Sequence, residues 1–266
     1  LILVYPFLGP IAVMSSEWAI GVPLLTSSFH FVFNLALALV FIVPLPAISR
    51  LLTRLFPEKA DLADPGVPLY LSQDATTPAI ALSDAARETL RIVDIVETMF
   101  DRGMTALLSN DKNAADLLAG MDDVVDRLES SVRLFIAKLT RENLTEIEAR
   151  RADEIISFAL NLEHIGDIIE HSIRDRAIKK IRKNANFSNE GQSEIRELYA
   201  RVVKSLRLSL SIFVTGDPAA IRLLLQEKTL IRASECEATQ NHIIRIREGR
   251  SETLETMSMH VDTLRD

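Results

Sequence analysis

The hydrophobic and polar positions divide this chain into two parts. Residues 18–49 contain no Asp, Glu, Lys or Arg, and Phe29 to Pro46 is apolar except for His30 and Asn34. About 20 consecutive apolar residues span the hydrocarbon core of a bilayer. The pattern therefore predicts one or two terminal transmembrane helices in residues 1–56, and the alternative is a buried hairpin of a soluble protein.

Basic residues and then prolines follow this apolar part. Arg50, Arg54 and Lys59 come directly after it, and basic flanks usually stay on the cytoplasmic side of a membrane. Residues 57–77 are rich in proline, which removes a backbone donor and restricts the preceding residue. We therefore expect a Pro-rich linker at 57–77 and a cytoplasmic domain after it.

Residues 78–266 have the three- and four-residue spacing of long amphipathic helices and almost no strand signal. Thr77-Pro78 and Asp217-Pro218 each combine a capping residue with proline at the first helical position. Thr145 and Glu148 form a capping box. The sequence predicts an all-α fold whose six helices cover roughly 78–110, 111 onward, 145 onward, 190–215, 218 onward and 251 onward.

Two of these helices have a clear predicted core face. The face of the second comprises Leu117, Met121, Val124, Val125, Leu128, Val132, Phe135 and Leu139. The face of the third comprises Ile155, Phe158, Leu162, Ile165 and Ile169.

An internal repeat groups the six helices. Shifting the chain by 99 residues places 162–167 over 261–266, with apolar and acidic residues at matching positions. The repeat predicts two three-helix bundles. Its second acidic motif ends on the final residue and the chain begins without Met, so we expect a fragment that is truncated at both ends.

Composition excludes several classes of function. The net charge is −7, which argues against non-specific binding to nucleic acid. The single cysteine, Cys236, cannot form an intrachain disulfide. The sequence contains no Gly-rich phosphate loop, nucleophile elbow or kinase signature. We therefore expect neither a nucleic-acid partner nor an enzyme.

Acidic residues supply the candidate metal ligands. Glu163 and Asp167 lie one turn apart on one helix face, and inward-facing carboxylates hold metal ions in helical bundles. The additional acidic candidates are Asp122, Asp126 and Glu170. A solvated acidic face, with Glu170 paired to Arg174, is the structural alternative.

In the apolar part, His30 and Asn34 also lie one turn apart on one helix face. Polar groups inside a membrane usually face a water path or the protein interior. A role in transport and a hydrogen bond that joins two helices both fit this pair.

The stretch from Leu162 to Asp167 resembles the signature of PhoU-like domains, which are two tandem three-helix bundles with Glu/Asp-x-x-x-Asp metal-binding motifs. Asp262 and Asp266 match the second copy. The resemblance implies that Glu163, Asp167, Asp262 and Asp266 bind divalent or iron-type metal ions.

The stretch His30 to Asn34, with the apolar helix and basic flank after it, resembles the last membrane repeat of bacterial sodium/phosphate cotransporter family proteins. Those proteins carry a cytoplasmic PhoU-like domain. The family's Gln-Ser-Ser substrate motifs are missing, so we expect them upstream of residue 1. The resemblance implies the C-terminal part of a multi-pass inner-membrane symporter with phosphate and sodium as substrates and sodium as the coupling ion. A homo-oligomer is one option for its assembly, and the sequence leaves the oligomeric state open.

Two other functions are consistent with the sequence. A membrane-anchored helical signalling module without transport activity would have the same long charged helices. A di-metal carboxylate enzyme is the third option.

Overall fold

The computed structural model describes residues 22–42, 45, 64–72, 77–139 and 144–266. The chain divides into two compact units, Leu1–Ala60 and Asp61–Asp266. Arg50, Arg54 and Lys59 lie outside the described residues, as does much of the predicted linker.

The first unit contains helix α1, Val22–Ile42. His30 and Asn34 lie one turn apart on it, and both side chains are exposed. Among the residues that the structure describes, no helix combines the length and the hydropathy needed to cross a bilayer. The predicted transmembrane helices are therefore not supported in this part of the chain.

The second unit is helical, and no strand occurs in its described residues, as the sequence predicted. Its elements are α2 (Pro78–Ser109), α3 (Lys112–Leu139), α4 (Glu146–Asp167), a π-helix (Ile168–Arg174), α5 (Asp175–Arg182), α6 (Asn189–Thr215), α7 (Pro218–Arg247), α8 (Ser251–Glu255) and α9 (Met257–Arg265).

The predicted helix starts are confirmed at three caps. The Thr77 side chain accepts from the Ile80 amide ahead of α2. Thr145 and Glu148 exchange both hydrogen bonds of a capping box at α4. Asp217 caps α7 by accepting from the Ala219 amide. Each cap satisfies amide groups that the first turn leaves without a partner.

Helices α2, α3 and α4 form the first bundle around a core that includes Ile92, Val125, Ile155 and Leu162. The α4 face is as predicted, but one residue of the α3 stripe is not. Leu117 is 53% exposed, whereas its neighbour Leu118 is fully buried. At the start of α3 the buried residues are Ala114, Ala115 and Leu118. The buried face there is therefore offset by one position from the predicted stripe.

Helices α6, α7 and α9 form the second bundle, and α9 contacts both of the others. The core between the bundles is continuous, because Ile173 and Ala177 of the first half belong to the same cluster as Ile195, Met259 and Leu264. With the π-helix and α5 counted as the continuation of α4, and α8 counted with α9, the described residues of the second unit contain six helical segments, and the internal repeat stays a prediction.

Candidate metal centre

Four carboxylates from facing helices form the candidate site. Asp122 and Asp126 lie one turn apart on α3, and Glu163 and Asp167 lie one turn apart on α4. One carboxylate oxygen each of Asp122, Asp126 and Asp167 lies within 4.8 Å of the others. We call these four residues the acidic cluster. Its members include one pair that the sequence analysis proposed as ligands and two of its additional candidates.

A glycine allows α4 to approach α3 at this point. Gly166 is buried, and a Cβ built on it would lie 3.0 Å from Asp122 Oδ1 and 3.7 Å from the Val125 side chain. A larger side chain at position 166 would therefore press directly on the acidic cluster. The glycine before Asp167 brings the two carboxylate-bearing helices together.

No lysine or arginine of the described residues compensates the charge of the acidic cluster, although His164 and His171 lie near it. None of its four carboxylates forms an ion pair with a lysine or arginine of the described residues, and Asp122 Oδ1 is buried without a hydrogen-bond partner there. Burial, and then repulsion from Asp126 and Asp167, raises the pKa of Asp122 to about 6. Burial followed by neighbouring carboxylates also raises the pKa of Asp126 and of Glu163.

A second group of ligand atoms shares one residue with the first. Atoms of Glu163, His164 and Asp167 also lie within 4.8 Å of one another. His164 Nδ1 is 2.8 Å from Glu163 Oε2, although that oxygen is buried and accepts no hydrogen bond from the described residues. Asp167 thus belongs to both groups, and the arrangement has oxygen donors and one nitrogen donor for cations.

The helix changes its winding immediately after Asp167. Residues Ile168–Arg174 form a π-helix, and Asp167 occupies its N-terminal flank. Such π segments are rare and frequently occur at functional sites. This irregularity was not predicted from the sequence.

Ion pairs bound the acidic cluster at both ends. Glu129 on α3 pairs with Arg133 at 3.0 Å. Glu170 bonds Arg174 at 2.9 Å and contacts His171. Both Glu170 oxygens contact neighbours on its own helix, one of them in the Glu170–Arg174 pairing that the sequence offered as the alternative, and the role of Glu170 as an additional ligand stays a prediction.

The second predicted acidic motif does not form a comparable group. Asp266 pairs with Arg176 from the first half of the chain. Asp262 pairs with Arg265 at 3.1 Å. Neither residue belongs to a metal-competent group among the described residues. The repeat predicted the position of the motif, but the partner Arg176 is a tertiary contact that sequence spacing does not reveal.

Two buried histidines in the second bundle were not placed by the sequence. The rings of His242 and His260 stack with centroids 4.4 Å apart, and burial lowers the pKa of His260 to about 4. Glu194 and Arg245 form an ion pair at 2.6 Å beside them. The spacing of the two histidines along their helices does not distinguish them from surface residues, so only the structure identifies them as buried.

A protein family matches the part of the chain that carries the acidic cluster, and curated proteins match the whole chain. Residues 89–175 match the PhoU domain family. The chain is 30% identical over 266 residues to a Salmonella typhimurium protein named "Putative inorganic phosphate export protein YjbB". It is 29% identical to the Escherichia coli K12 protein of the same name. It spans about half the length of these curated relatives, 49% of each.

A solved structure shows the same fold. The crystal structure of PhoU from Pseudomonas aeruginosa aligns with a TM-score of 0.63 at 19% identity, over 69% of this chain and 87% of that chain. The chain therefore contains a PhoU domain within a PhoU-like helical fold, and it is homologous to proteins named for inorganic phosphate export.

Proposed function

We propose that this chain is part of a phosphate transporter, in which a metal-binding PhoU-like bundle adjusts transport. One observation carries the metal-binding part of the proposal. The acidic cluster gathers four carboxylates, and Asp122 Oδ1 is buried without a partner among the described residues. Burying an unpaired charge costs several kcal/mol, and a bound cation removes that cost.

The ligand types favour a particular class of cation. Carboxylate oxygens suit Mg²⁺, Ca²⁺ and Mn²⁺, whereas an added imidazole suits transition metals. His164 lies beside Glu163 and Asp167, so we propose divalent transition or iron-type metals for this position. Asp167 would bridge two cations if both groups of ligand atoms were occupied.

The transport part of the proposal rests on the relatives and on the apolar sequence. The relatives are named for export of inorganic phosphate. Residues 18–49 carry no charge, which supports an inner-membrane location with the helical bundle in the cytoplasm. We propose sodium as the coupling ion, a homo-oligomeric assembly and no enzymatic activity.

Reconstituted phosphate flux tests this part. The protein expressed from its full gene is placed in proteoliposomes, and flux of radiolabelled phosphate is measured in both directions with and without a sodium gradient. Sodium-dependent flux supports the proposal. Phosphate flux that is the same with and without a sodium gradient would disprove the symport mechanism. No flux in either direction favours the second candidate, a membrane-anchored signalling module without transport.

The regulatory role of the acidic cluster is tested in the same assay. The Asp122→Asn/Asp167→Asn double variant should lose the response of flux to added Mn²⁺. Asp153→Asn is the matched control, because Asp153 is exposed on α4 and lies outside both groups of ligand atoms. An unchanged Mn²⁺ response in the double variant would disprove the regulatory role.

A further inference from the structure

Residues 64–72, which we call the strap, are fastened to α2 by a buried carboxylate. Glu88 is fully buried, and its Oε2 accepts the amide hydrogens of Leu69 and Tyr70, each at 2.8 Å. Arg91, one turn further along α2, donates to the carbonyl of Val67 at 3.0 Å. It also donates to the carbonyl of Pro65. This part of the predicted linker therefore follows a fixed path across α2.

A second attachment joins the strap to α3. Arg127 donates to the two carboxylate oxygens of Asp64 at 2.7 and 3.1 Å. The bidentate geometry makes this partly exposed ion pair directional. Gly66 lies against the same guanidinium, where a Cβ would come within 2.3 Å of Arg127 Cζ. A side chain at position 66 would therefore displace the guanidinium of Arg127 from its present place.

The attachment point and the acidic cluster occupy the same turn of α3. Asp122 and Asp126 face α4 from this turn, and Arg127 holds the strap from the next position. The Arg127 side chain also donates from Nε to the backbone carbonyl of Asp123 at 3.2 Å. A change in the position or rigidity of residues 122–127 therefore reaches both the acidic cluster and the strap.

We propose that docking of the strap is linked to cation occupancy of the acidic cluster. This inference rests on the cation site proposed above. Without a cation, Asp122 and Asp126 repel Asp167 across the helix interface. A bound cation draws α3 and α4 together, fixes the turn that carries Arg127 and so holds the strap in place.

Linkage makes the effect reciprocal. If a cation strengthens docking of the strap, a docked strap strengthens binding of the cation by the same factor. The strap precedes α2 in the chain, so its attachment is where cation occupancy would act on the predicted linker. A segment that the sequence predicts to be part of a Pro-rich linker would thus have a regulatory role.

Hydrogen exchange on the full chain tests the linkage. The amides of Leu69 and Tyr70 donate to Glu88, so their exchange reports strap docking directly. Exchange of peptides that cover 64–72 is measured by mass spectrometry with Mn²⁺ alone and with chelator alone. We expect exchange at least about fivefold slower with Mn²⁺, the lower end of typical coupling.

Three variants separate the linkage from general stabilisation. Arg127→Ala should abolish the Mn²⁺ effect on the strap and weaken Mn²⁺ binding by the same factor. Arg150→Ala, which breaks an exposed ion pair on α4 at 2.7 Å, should leave both unchanged. Glu88→Gln should loosen the strap at α2 without changing any residue of α3, and it should also weaken Mn²⁺ binding.

The outcomes distinguish this inference from the proposed function. Mn²⁺ binding without a change in strap exchange overturns the linkage and leaves the cation site intact. Unchanged Mn²⁺ affinity in both Arg127→Ala and Glu88→Gln overturns it as well. Absence of Mn²⁺ binding to the unmodified chain overturns the cation site and the linkage together.

Discussion

Gly166 of α4 and Asp122 of α3 lie so close that a Cβ at position 166 would be 3.0 Å from Asp122 Oδ1. The contact places backbone against a carboxylate that is only 8% exposed. The same contact aligns Asp167 with Asp122 and Asp126. A side chain at position 166 would therefore shift Asp122 from its present place in the acidic cluster.

Replacing this glycine tests that effect. Gly166→Ala should weaken Mn²⁺ binding, and crowding of Asp122, about 1–3 kcal/mol for an overpacked core, should offset the helix-propensity gain of about 0.5–1 kcal/mol that alanine brings. Gly120→Ala is the matched control, because a Cβ there meets no atom within 4 Å and α3 is helical at that point. It should stabilise the protein by about 0.5–1 kcal/mol. Chemical denaturation measures both values, and equal effects would contradict the account.

The unpaired buried charge of Asp122 costs stability when no cation is bound. The pKa of this group is raised to about 6 from 3.8, so Asp122→Asn should stabilise the metal-free protein by about 1–3 kcal/mol at neutral pH. The same variant should lose Mn²⁺ affinity. Asp116→Asn, at an exposed position of α3, should change neither. A destabilised metal-free Asp122→Asn protein would show that the carboxylate is already compensated.

The pH dependence of stability has a defined sign. A carboxyl whose pKa is higher in the folded state stabilises the protein fully below about pH 4, and this contribution is lost as the pH rises through about 6. His260 acts in the opposite direction, because its pKa is lowered to about 4 by burial. It destabilises the fold as the pH falls below about 6.5.

The histidine contribution cancels when the unfolding free energy of Asp122→Asn is subtracted from that of the unmodified chain, because both proteins contain His260. In chelator, the unfolding free energy of the unmodified chain minus that of Asp122→Asn should fall between pH 4 and pH 7. In saturating Mn²⁺ the same difference should rise with pH, because cations bind the deprotonated ligands. A difference that stays flat in both conditions would be inconsistent with the raised pKa of Asp122.

The two halves of the chain should differ in cation binding. Asp167→Asn should abolish high-affinity Mn²⁺ binding measured by calorimetry. Asp266→Asn should leave it unchanged, because Asp266 is paired with Arg176. The Asp266 variant should instead lose the stability that this ion pair contributes. Loss of Mn²⁺ affinity in Asp266→Asn would show that the second predicted motif, Asp262 and Asp266, also binds the cation.

Local signals explain which parts of the fold were predictable. Thr77, Thr145 and Asp217 act on amides within their own first turn, so the helix starts follow from neighbouring residues alone. The core face of α4 follows from its spacing in the same way. Leu117 and Leu118 are both leucine, however, and the choice between them depends on how α3 packs against its neighbours.

Tertiary contacts explain the rest. Glu163 and Asp167 were predicted as ligands from spacing and resemblance, but their meeting with Asp122 and Asp126 depends on the close approach at Gly166. In the second half, the acidic spacing is equally good, but Asp266 pairs with Arg176 from the first half, a contact that spacing does not reveal. The attachment of the strap through Glu88 could not be predicted either, since a glutamate within an amphipathic helix usually faces solvent.

The central claim is that Asp122, Asp126 and Asp167 hold a cation between α3 and α4. Anomalous diffraction at the manganese edge, from crystals grown with Mn²⁺, tests it most directly. The account predicts an anomalous peak within coordination distance of these three carboxylates, and no such peak in crystals of Asp122→Asn/Asp167→Asn. Saturating Mn²⁺ with no peak between α3 and α4, or a peak confined to Asp262 and Asp266, would contradict it.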